Sequence, residues 1–239
     1  MLEHLNLTNV MVFDIETASS HKSYSHMSET FQKLWESTIH KREAKDDESP
    51  ETTYFENAGL HAEFSKIVTI SAGFFERVSE DVYNLRMKSF YSHDEKEILS
   101  KFSEILNTRT PNKHFLLAHN GKHFDVPYLC KRLSIHQMPI PSFIDTYDLK
   151  PWESKWILDS KIMWGFGSEA KISLKTLCGV FDIPTPKDDI EGKDVTRVYW
   201  NEEDGIERIQ TYCKKDVLAT ARVFCKIIQR NITINPLEL

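Results

Sequence analysis

Two acidic residues follow an apolar run near the N-terminus, in the sequence Val-Met-Val-Phe-Asp-Ile-Glu-Thr over residues 10–17. If this run is a β-strand, Asp14 and Glu16 point to the same face, because alternate side chains of a strand share a face. Two carboxylates held side by side repel each other, and a divalent metal ion is the usual means of neutralising them. Many edge strands also end in solvated acids that bind no metal. Other residues must therefore decide between a metal site and a solvated strand end.

Two further acidic positions lie in similar surroundings. Asp125 follows the apolar run 115–119 through an Asn-Gly turn, in the pattern N-G-x-x-F-D, and Asp216 lies in a C-terminal helical pattern, in Y-x-x-x-D. Tyr212 and Asp216 are four residues apart, which places them on one helical face. Each has an ordinary alternative: Asp125 could cap its helix, Tyr212 could be a half-buried tyrosine, and Asp216 could pair with Lys215. The joint pattern favours a two-metal site that hydrolyses phosphodiesters.

The elements that would position these residues follow from hydrophobic periodicity. The sequence predicts strands at about 10–17, 67–75, 84–91 and 115–119, with a short extended piece at 142–145. It predicts helices at about 29–42, 95–106, 125–133 and 173–181, and one continuous C-terminal helix from Asn201 to Ile228. This order favours an α/β fold: a mixed sheet of about five strands with helices on both faces. Residues 19–63 form an insertion, either a lid over the site or, as we expect, mobile decoration.

Composition limits the class of protein. The chain has 239 residues, a net charge of −6 and 40% apolar residues, which is typical of a soluble globular protein and unlike a protein that coats nucleic acid. No apolar run is long enough for a transmembrane helix, and no secretory signal is present. The four cysteines have no C-x-x-C spacing, which favours free thiols in a reducing cytosol. We therefore expect a cytoplasmic protein with no membrane partner.

The three acidic motifs resemble those of the DEDD superfamily of 3′–5′ exonucleases, which has a ribonuclease-H-like fold. Tyr212, four residues before Asp216, resembles the tyrosine subclass (DEDDy). The chain is most similar to the proofreading exonuclease domain of family B DNA polymerases, and in particular to the stand-alone bacterial family described as predicted 3′–5′ exonucleases related to that domain. Residues 14–17, 120–129, 173–178, 183–189 and 212–216 carry the match. The resemblance implies a single exonuclease domain over residues 1–239.

The resemblance also implies a mechanism. Asp14, Glu16 and Asp216 would hold one divalent ion, and Asp14 and Asp125 would hold a second. Oxygen ligands favour Mg²⁺ or Mn²⁺ over Zn²⁺. Tyr212 would orient the attacking water, and the product would be a nucleoside 5′-monophosphate.

Substrate contacts are implied at four further positions. Glu16 and the backbone near Thr17 would hold the 3′-hydroxyl group, and Asn120 and Phe124 would contact the terminal nucleotides. Phe124 has an equally good alternative as a residue that packs into the core. Lys122 could contact a phosphate. The tryptophans 152, 156 and 164 could stack on bases, although we expect them to pack in the core.

Three activities are compatible with these motifs. The leading hypothesis is a 3′–5′ exonuclease acting on single-stranded DNA ends. The same chemistry on RNA is the second, because discrimination of the 2′-hydroxyl depends on details of the pocket. A non-catalytic nucleic-acid-binding module is the third, and the presence of all four acids and Tyr212 argues against it. A nicotinamide-dependent dehydrogenase is disfavoured, since no G-x-G-x-x-G follows the first strand. The sequence does not reveal whether the protein has a partner such as a polymerase or a helicase.

Overall fold

A mixed sheet of six strands forms the centre of the chain in a computed structural model, which describes residues 5–42, 49–150, 152–184 and 190–238. The elements are β1 (Val10–Ser19), α1 (Glu29–Arg42), α2 (Pro50–Asn57), β2 (Ser65–Arg77), β3 (Val82–Tyr91), α3 (Glu95–Asn107), β4 (Phe115–Ala118), α4 (Asp125–Ile135), β5 (Ile157–Asp159), α5 (Ser160–Gly165), α6 (Leu174–Val180), α7 (Val195–Asn201), α8 (Gly205–Ile227) and β6 (Thr233–Glu238).

The strand order is β5-β4-β1-β2-β3-β6. The pairs β1–β2 and β2–β3 are antiparallel, whereas β1–β4, β4–β5 and β3–β6 are parallel. Helices α3 and α4 pack on one face of the sheet, and α8 packs on the other. The predicted mixed α/β sheet is therefore confirmed, with one strand more than expected because β6 adds to the edge of β3.

The prediction of an extended piece at residues 142–145 is wrong. The amides of Ile144 and Asp145 both donate to the carbonyl of Pro141, which closes a turn instead. Phe143 and Ile144 are buried, so their apolar character reflects the anchoring of a loop and not a strand. The strand beside β4 is β5, which begins directly after the buried Trp156.

The C-terminal helix is divided, and its predicted start at Asn201 is wrong. Asn201 ends α7, and α8 begins at Gly205. A Cβ atom at Gly205 would lie 2.2 Å from the carbonyl oxygen of Val198, so only glycine allows the start of α8 to approach α7 so closely. The remaining course of α8 agrees with the predicted helix, and its apolar residues Ile209, Cys213, Val217 and Phe224 form a fully buried stripe.

The insertion over residues 19–63 contains α1 and α2, and residues 43–48 lie outside the described part. Trp35 of α1 and Tyr54 of α2 are fully buried against each other, with ring centroids 5.3 Å apart. The insertion therefore has its own small core. Phe31 and Leu34 of α1 lie outside this core and are exposed.

All four cysteines are free thiols, and three of them are buried, in agreement with the expectation from their spacing. In the described residues, no helix combines the length and the apolar character that crossing a membrane requires.

A buried ion pair joins the two helices of one sheet face. The carboxylate of Glu95, at the start of α3, accepts from Nε and Nη2 of Arg132 on α4, at 2.8 and 2.5 Å, and from the amide of Ile67 on β2 at 2.7 Å. Nη1 of Arg132 donates to the carbonyl of Ala62 at 2.6 Å. Burial alone would raise the pKa of Glu95, but the hydrogen bonds and charge of Arg132 outweigh it and hold that pKa below its ordinary value. The pair is therefore ionised at neutral pH.

Replacing Arg132 by alanine is expected to lower the free energy of unfolding by about 3–5 kcal/mol, because the buried Glu95 carboxylate would lose its guanidinium partner and keep only His136, whose Nε2 lies 2.6 Å from Oε2 of Glu95. Chemical denaturation measures the change. Lys101→Ala is the matched control, since Lys101 pairs with Glu97 on the surface and its loss is expected to lower stability by less than about 1 kcal/mol. Equal effects of the two substitutions would contradict a structural role for the buried pair.

Candidate active site

The alternation of β1 brings two carboxylates to the face that α8 covers. Val10 and Val12 point to this face and pack with residues of α8. Asp14 and Glu16 continue the same row of alternate residues. Glu16 is only 8% exposed, and Asp14 is half-buried. On this face of β1, the apolar residues Val10 and Val12 are therefore followed by the acids Asp14 and Glu16, and only Asp14 is more than slightly exposed.

Helix α8 lies over this acidic end of the strand. Cys213 is fully buried, and its thiol donates to Oδ2 and to the backbone carbonyl of Asp14, both at 3.4 Å. Tyr212 and Asp216 flank Cys213 on the helix and are half-buried. The hydroxyl of Tyr212 forms a hydrogen bond with the Asp216 carboxylate, and its ring packs beside the core of α7 and α8. The predicted sharing of one helical face by these two residues agrees with this arrangement.

Asp125 reaches the same place from another element. It is the first residue of α4, it is 4% exposed, and its Oδ1 accepts from the amide of Ile15 at 3.3 Å. The preceding Asn-Gly turn makes this approach possible, since Asn120 has a φ of 68° and a Cβ at Gly121 would lie 2.4 Å from Cβ of Ala118. The N-cap of α4 is Phe124, so Asp125 is not the capping residue.

The electrostatics of the four carboxylates are those of a single cluster. Burial raises the pKa of Asp14 well above its ordinary value, and the charges of Glu16, Asp125 and Asp216 raise it further. Burial and the charges of Asp216 and Asp125 likewise raise the pKa of Glu16 well above its ordinary value. Burial raises the pKa of Asp125 to about 7. Burial and the nearby acids, Glu16 first, raise the pKa of Tyr212 far above its ordinary range. The ionised form of this cluster therefore needs a cation.

The donor atoms are close enough for one ion. One carboxylate oxygen of Asp14, one of Glu16 and the sulfur of Cys213 all lie within 4.8 Å of one another. Asp125 and Asp216 border this group, as their effects on the pKa of Asp14 and Glu16 show. Hard oxygen ligands predominate, which fits Mg²⁺ or Mn²⁺.

Cys213 and Asp159 were missed by the sequence interpretation. Cys213 reads as one more apolar position of the α8 stripe, and only its place between Tyr212 and Asp216 could have suggested its contact with Asp14. Asp159 ends β5 and is 2% exposed. Its carboxylate accepts from the amides of Asn120 and Lys122, both at 3.0 Å, and therefore fixes the turn that leads to Asp125. In the sequence, only the presence of a carboxylate at the end of a short apolar segment could have indicated a role for Asp159.

The four residues expected to contact substrate, Thr17, Asn120, Lys122 and Phe124, each contact another part of the protein. The hydroxyl of Thr17 donates to the carbonyl of Gly59 at 2.7 Å, so the end of the insertion lies against β1. The side-chain oxygen of Asn120 accepts from Lys161 Nζ at 3.3 Å. Nζ of Lys122 donates to a backbone carbonyl at 3.1 Å. Phe124 is half-buried, with its ring 5.1 Å from that of Tyr128.

The three tryptophans considered for base stacking differ in exposure. Trp156 is buried, and its indole nitrogen donates to the carbonyl of Phe143 at 2.8 Å. Trp164 packs edge-on against Phe181. Trp152 is 65% exposed, contrary to the expected core position, and Lys150 lies over its ring.

A family model described as "Predicted 3'-5' exonuclease related to the exonuclease domain of PolB" matches residues 58–238, well over half of the chain. The chain belongs to this family. The matched range contains Asp125, Tyr212 and Asp216, whereas Asp14 and Glu16 precede it. The resemblance inferred from the motifs is thereby confirmed, and the chain is a member of a family of predicted 3′–5′ exonucleases.

The fold agrees with this family assignment. The structure of the family B DNA polymerase from the hyperthermophilic archaeon Pyrobaculum calidifontis matches 92% of this chain with a TM-score of 0.55 and 15% sequence identity. The chain spans 24% of the length of that polymerase. This likeness supports the ribonuclease-H-like fold and no more. A search of curated proteins gave no match.

The elevated pKa of Asp125 has a consequence for stability. Because it is raised to about 7 from an ordinary 3.8, ionised Asp125 destabilises the metal-free fold. The free energy of unfolding of the wild type, relative to Asp125→Asn, is therefore expected to rise as the pH falls from about 8 to about 5. Denaturant titrations in a chelator measure this difference, in which the titration of groups that Asp125 does not influence cancels. If the relative stability instead fell as the pH was lowered over this range, Asp125 would not lie in the buried acidic cluster.

Proposed function

We propose that this protein is a metal-dependent 3′–5′ exonuclease that hydrolyses phosphodiester bonds at single-stranded DNA 3′ ends and releases nucleoside 5′-monophosphates. The observation that carries the proposal is the convergence of four carboxylates from β1, α4 and α8 into one cluster, in which the charges of Asp125 and Asp216 raise the pKa of both Asp14 and Glu16. Membership of a family of predicted 3′–5′ exonucleases supports the same reaction.

Two divalent cations, Mg²⁺ or Mn²⁺, are the proposed cofactors. Asp14, Glu16 and Asp216 would hold one, and Asp14 and Asp125 would hold the other. Such ions lower the pKa of a water nucleophile and stabilise charge on the leaving 3′ oxygen. The mutual repulsion of the acids fits this role, because ionised carboxylates in a buried site are stable only beside a cation.

Tyr212 is proposed to orient the attacking water, which is the feature of the tyrosine subclass of these nucleases. Its pKa is raised by burial and by Glu16, so the phenol keeps its proton at neutral pH. A protonated phenol cannot serve as the general base, but it can hold a water by hydrogen bonding. Its hydrogen bond with Asp216 restricts the hydroxyl to the acidic cluster.

An exonuclease must recognise a chain end, and β1 supplies suitable groups. Glu16 and the backbone at Thr17 are proposed to hold the terminal 3′-hydroxyl group. The space beyond them is restricted, because Gly59 packs against Thr17 and its carbonyl accepts from both Thr17 and Tyr128. Asn120 is proposed to contact the terminal nucleotides. Phe124 is proposed to contact the terminal nucleotides as well, and Lys122 is proposed to contact a phosphate.

RNA 3′ ends are the alternative substrate, since the described contacts do not include a group that would reject or require a 2′-hydroxyl. A non-catalytic binding module is the alternative from a different class. The retention of Asp14, Glu16, Asp125 and Asp216 together with Tyr212 favours catalysis over binding alone.

The direct test uses single-stranded DNA and RNA labelled at either end, in Mg²⁺ or Mn²⁺. We expect a ladder that shortens from the 3′ end of DNA, and a loss of at least about 10³-fold in rate for Asp14→Ala because the charge stabilisation that the ions provide would be lost. Asp81→Ala, in an exposed turn between β2 and β3, is the matched control and should retain full activity. Cleavage of RNA alone would favour the alternative substrate, and binding without cleavage would favour the non-catalytic module.

Tyr212→Phe is expected to lower kcat by about 10- to 100-fold, since a misplaced water loses reactive geometry while the acids remain. Metal affinity, measured by calorimetry, should stay near the wild-type value because the phenol is not a proposed ligand. If metal affinity fell as far as it does in Asp216→Ala, the role assigned to Tyr212 would be wrong.

A further inference from the structure

A row of polar side chains crosses the sheet beneath α8. Asp14 of β1 pairs with Ser71 of β2, which pairs with Ser89 of β3, so all three side chains lie on the face that α8 covers. The neighbouring row on this face is apolar, with Val12 on β1 and Met87 on β3, both buried. Ser71 is fully buried as well. A buried hydroxyl group is costly unless it is hydrogen-bonded, so the polar row must have partners.

Hydrogen bonds connect this row with Cys213 of α8. The hydroxyl oxygens of Ser89 and Ser71 lie 2.7 Å apart, and the hydroxyl of Ser71 forms a hydrogen bond with the thiol of Cys213. The sulfur lies 3.4 Å from Oδ2 of Asp14 and 3.4 Å from its backbone carbonyl oxygen. The carboxyl groups of Asp14 and Glu16 also share a hydrogen bond. The polar row is therefore one connected chain that ends at two of the proposed metal ligands.

The direction of these hydrogen bonds follows from the chemistry of the carboxylate. A carboxylate that binds a cation is ionised and can only accept hydrogen bonds, so the thiol must be the donor to Asp14. Because the thiol has a single proton, its sulfur must accept from Ser71, and the oxygen of Ser71 can then accept from Ser89. The two serines thus orient the thiol proton toward Asp14.

We propose that Cys213 is a positioning residue that orients the Asp14 carboxylate for the divalent ions, and that Ser71 holds its thiol in the donor role. The proposal rests on the proposed function, in which Asp14 is the ligand that the two ions share. A hydrogen bond to Oδ2 restricts the rotation of the carboxylate and leaves its other lone pairs to the ions. Cysteine suits this position, because it packs as a small apolar residue in the stripe of α8 and still offers a weak donor.

Calorimetric titration with Mn²⁺ tests this role without turnover. Cys213→Ala is expected to lower the affinity for Mn²⁺ by about 10-fold, which is the lower end of the range for the loss of a hydrogen bond to a metal ligand. Cys213→Ser keeps a hydroxyl donor and should recover most of this loss.

Cys225→Ala is the matched control, since Cys225 is a buried free thiol further along the same helix. Both alanine variants are expected to be less stable than the wild type in chemical denaturation, because each leaves a small cavity. Only Cys213→Ala should lose affinity for Mn²⁺. The comparison therefore separates a positioning role from a general loss of packing.

A further substitution tests the serine. Ser71→Ala should lower the affinity for Mn²⁺ by about 2- to 3-fold, which is the lower end for the loss of one neutral hydrogen bond. It should have no effect in the Cys213→Ala background, because the influence of Ser71 on Asp14 passes through the thiol. Equal effects of Ser71→Ala in the two backgrounds would show that Ser71 acts independently of Cys213 and would overturn the proposed chain.

The remaining outcomes separate this proposal from the proposed function. An affinity of Cys213→Ala equal to that of the wild type, or an equal loss in Cys225→Ala, would overturn the positioning role and leave the nuclease intact. A loss in Cys213→Ser as large as in Cys213→Ala would also overturn it, since the sulfur would then be a metal ligand itself. A wild type that binds Mn²⁺ but cleaves no nucleic acid would refute the proposed function, and the affinities would still test the role of Cys213. A wild type that binds no Mn²⁺ would refute both.

Discussion

The structure depends on one unfavourable interaction, the burial of several like-charged carboxylates against one another. Burial raises the pKa of Asp14, Glu16 and Asp125, and the charges of the other acids raise it further for Asp14 and Glu16. Carboxylates in this position oppose folding in the absence of a cation, so the surrounding structure must hold them in place. A divalent ion bound among these acids would relieve the same repulsion. The instability of the free site and the metal binding proposed for it would thus have a single physical cause.

The remainder of the fold compensates for this instability. β1 is central, with β2 and β4 on either side, and its odd-numbered residues Met11, Phe13 and Ile15 are buried against α3 and α4. The ion pair of Glu95 and Arg132 joins those two helices on the face opposite α8. Asp159 fixes the turn before Asp125 through backbone amides. Each carboxylate of the site is therefore carried by an element that is anchored at positions distant from the site.

Local sequence was sufficient to predict most of this arrangement. The alternation of β1, the apolar stripe of α8 and the turn at Asn120 are short-range signals, and they place Asp14 and Glu16 on one face of β1, Asp125 at the start of α4 and Asp216 within α8. The division between α7 and α8 was not predictable, because it depends on the contact of Gly205 with Val198, which no periodic pattern reveals. The roles of Cys213 and Asp159 were hidden for the same reason, since their partners Asp14 and Asn120 are distant along the chain.

The central claim is that Asp14, Glu16, Asp125 and Asp216 form one site for divalent cations. Anomalous diffraction from crystals soaked in Mn²⁺ tests it most directly. The account predicts two peaks, one in contact with Asp14, Glu16 and Asp216 and one in contact with Asp14 and Asp125, and both should disappear in Asp14→Ala. The absence of ordered Mn²⁺ among these carboxylates, or a structure in which Asp125 points away from Asp14, would contradict it.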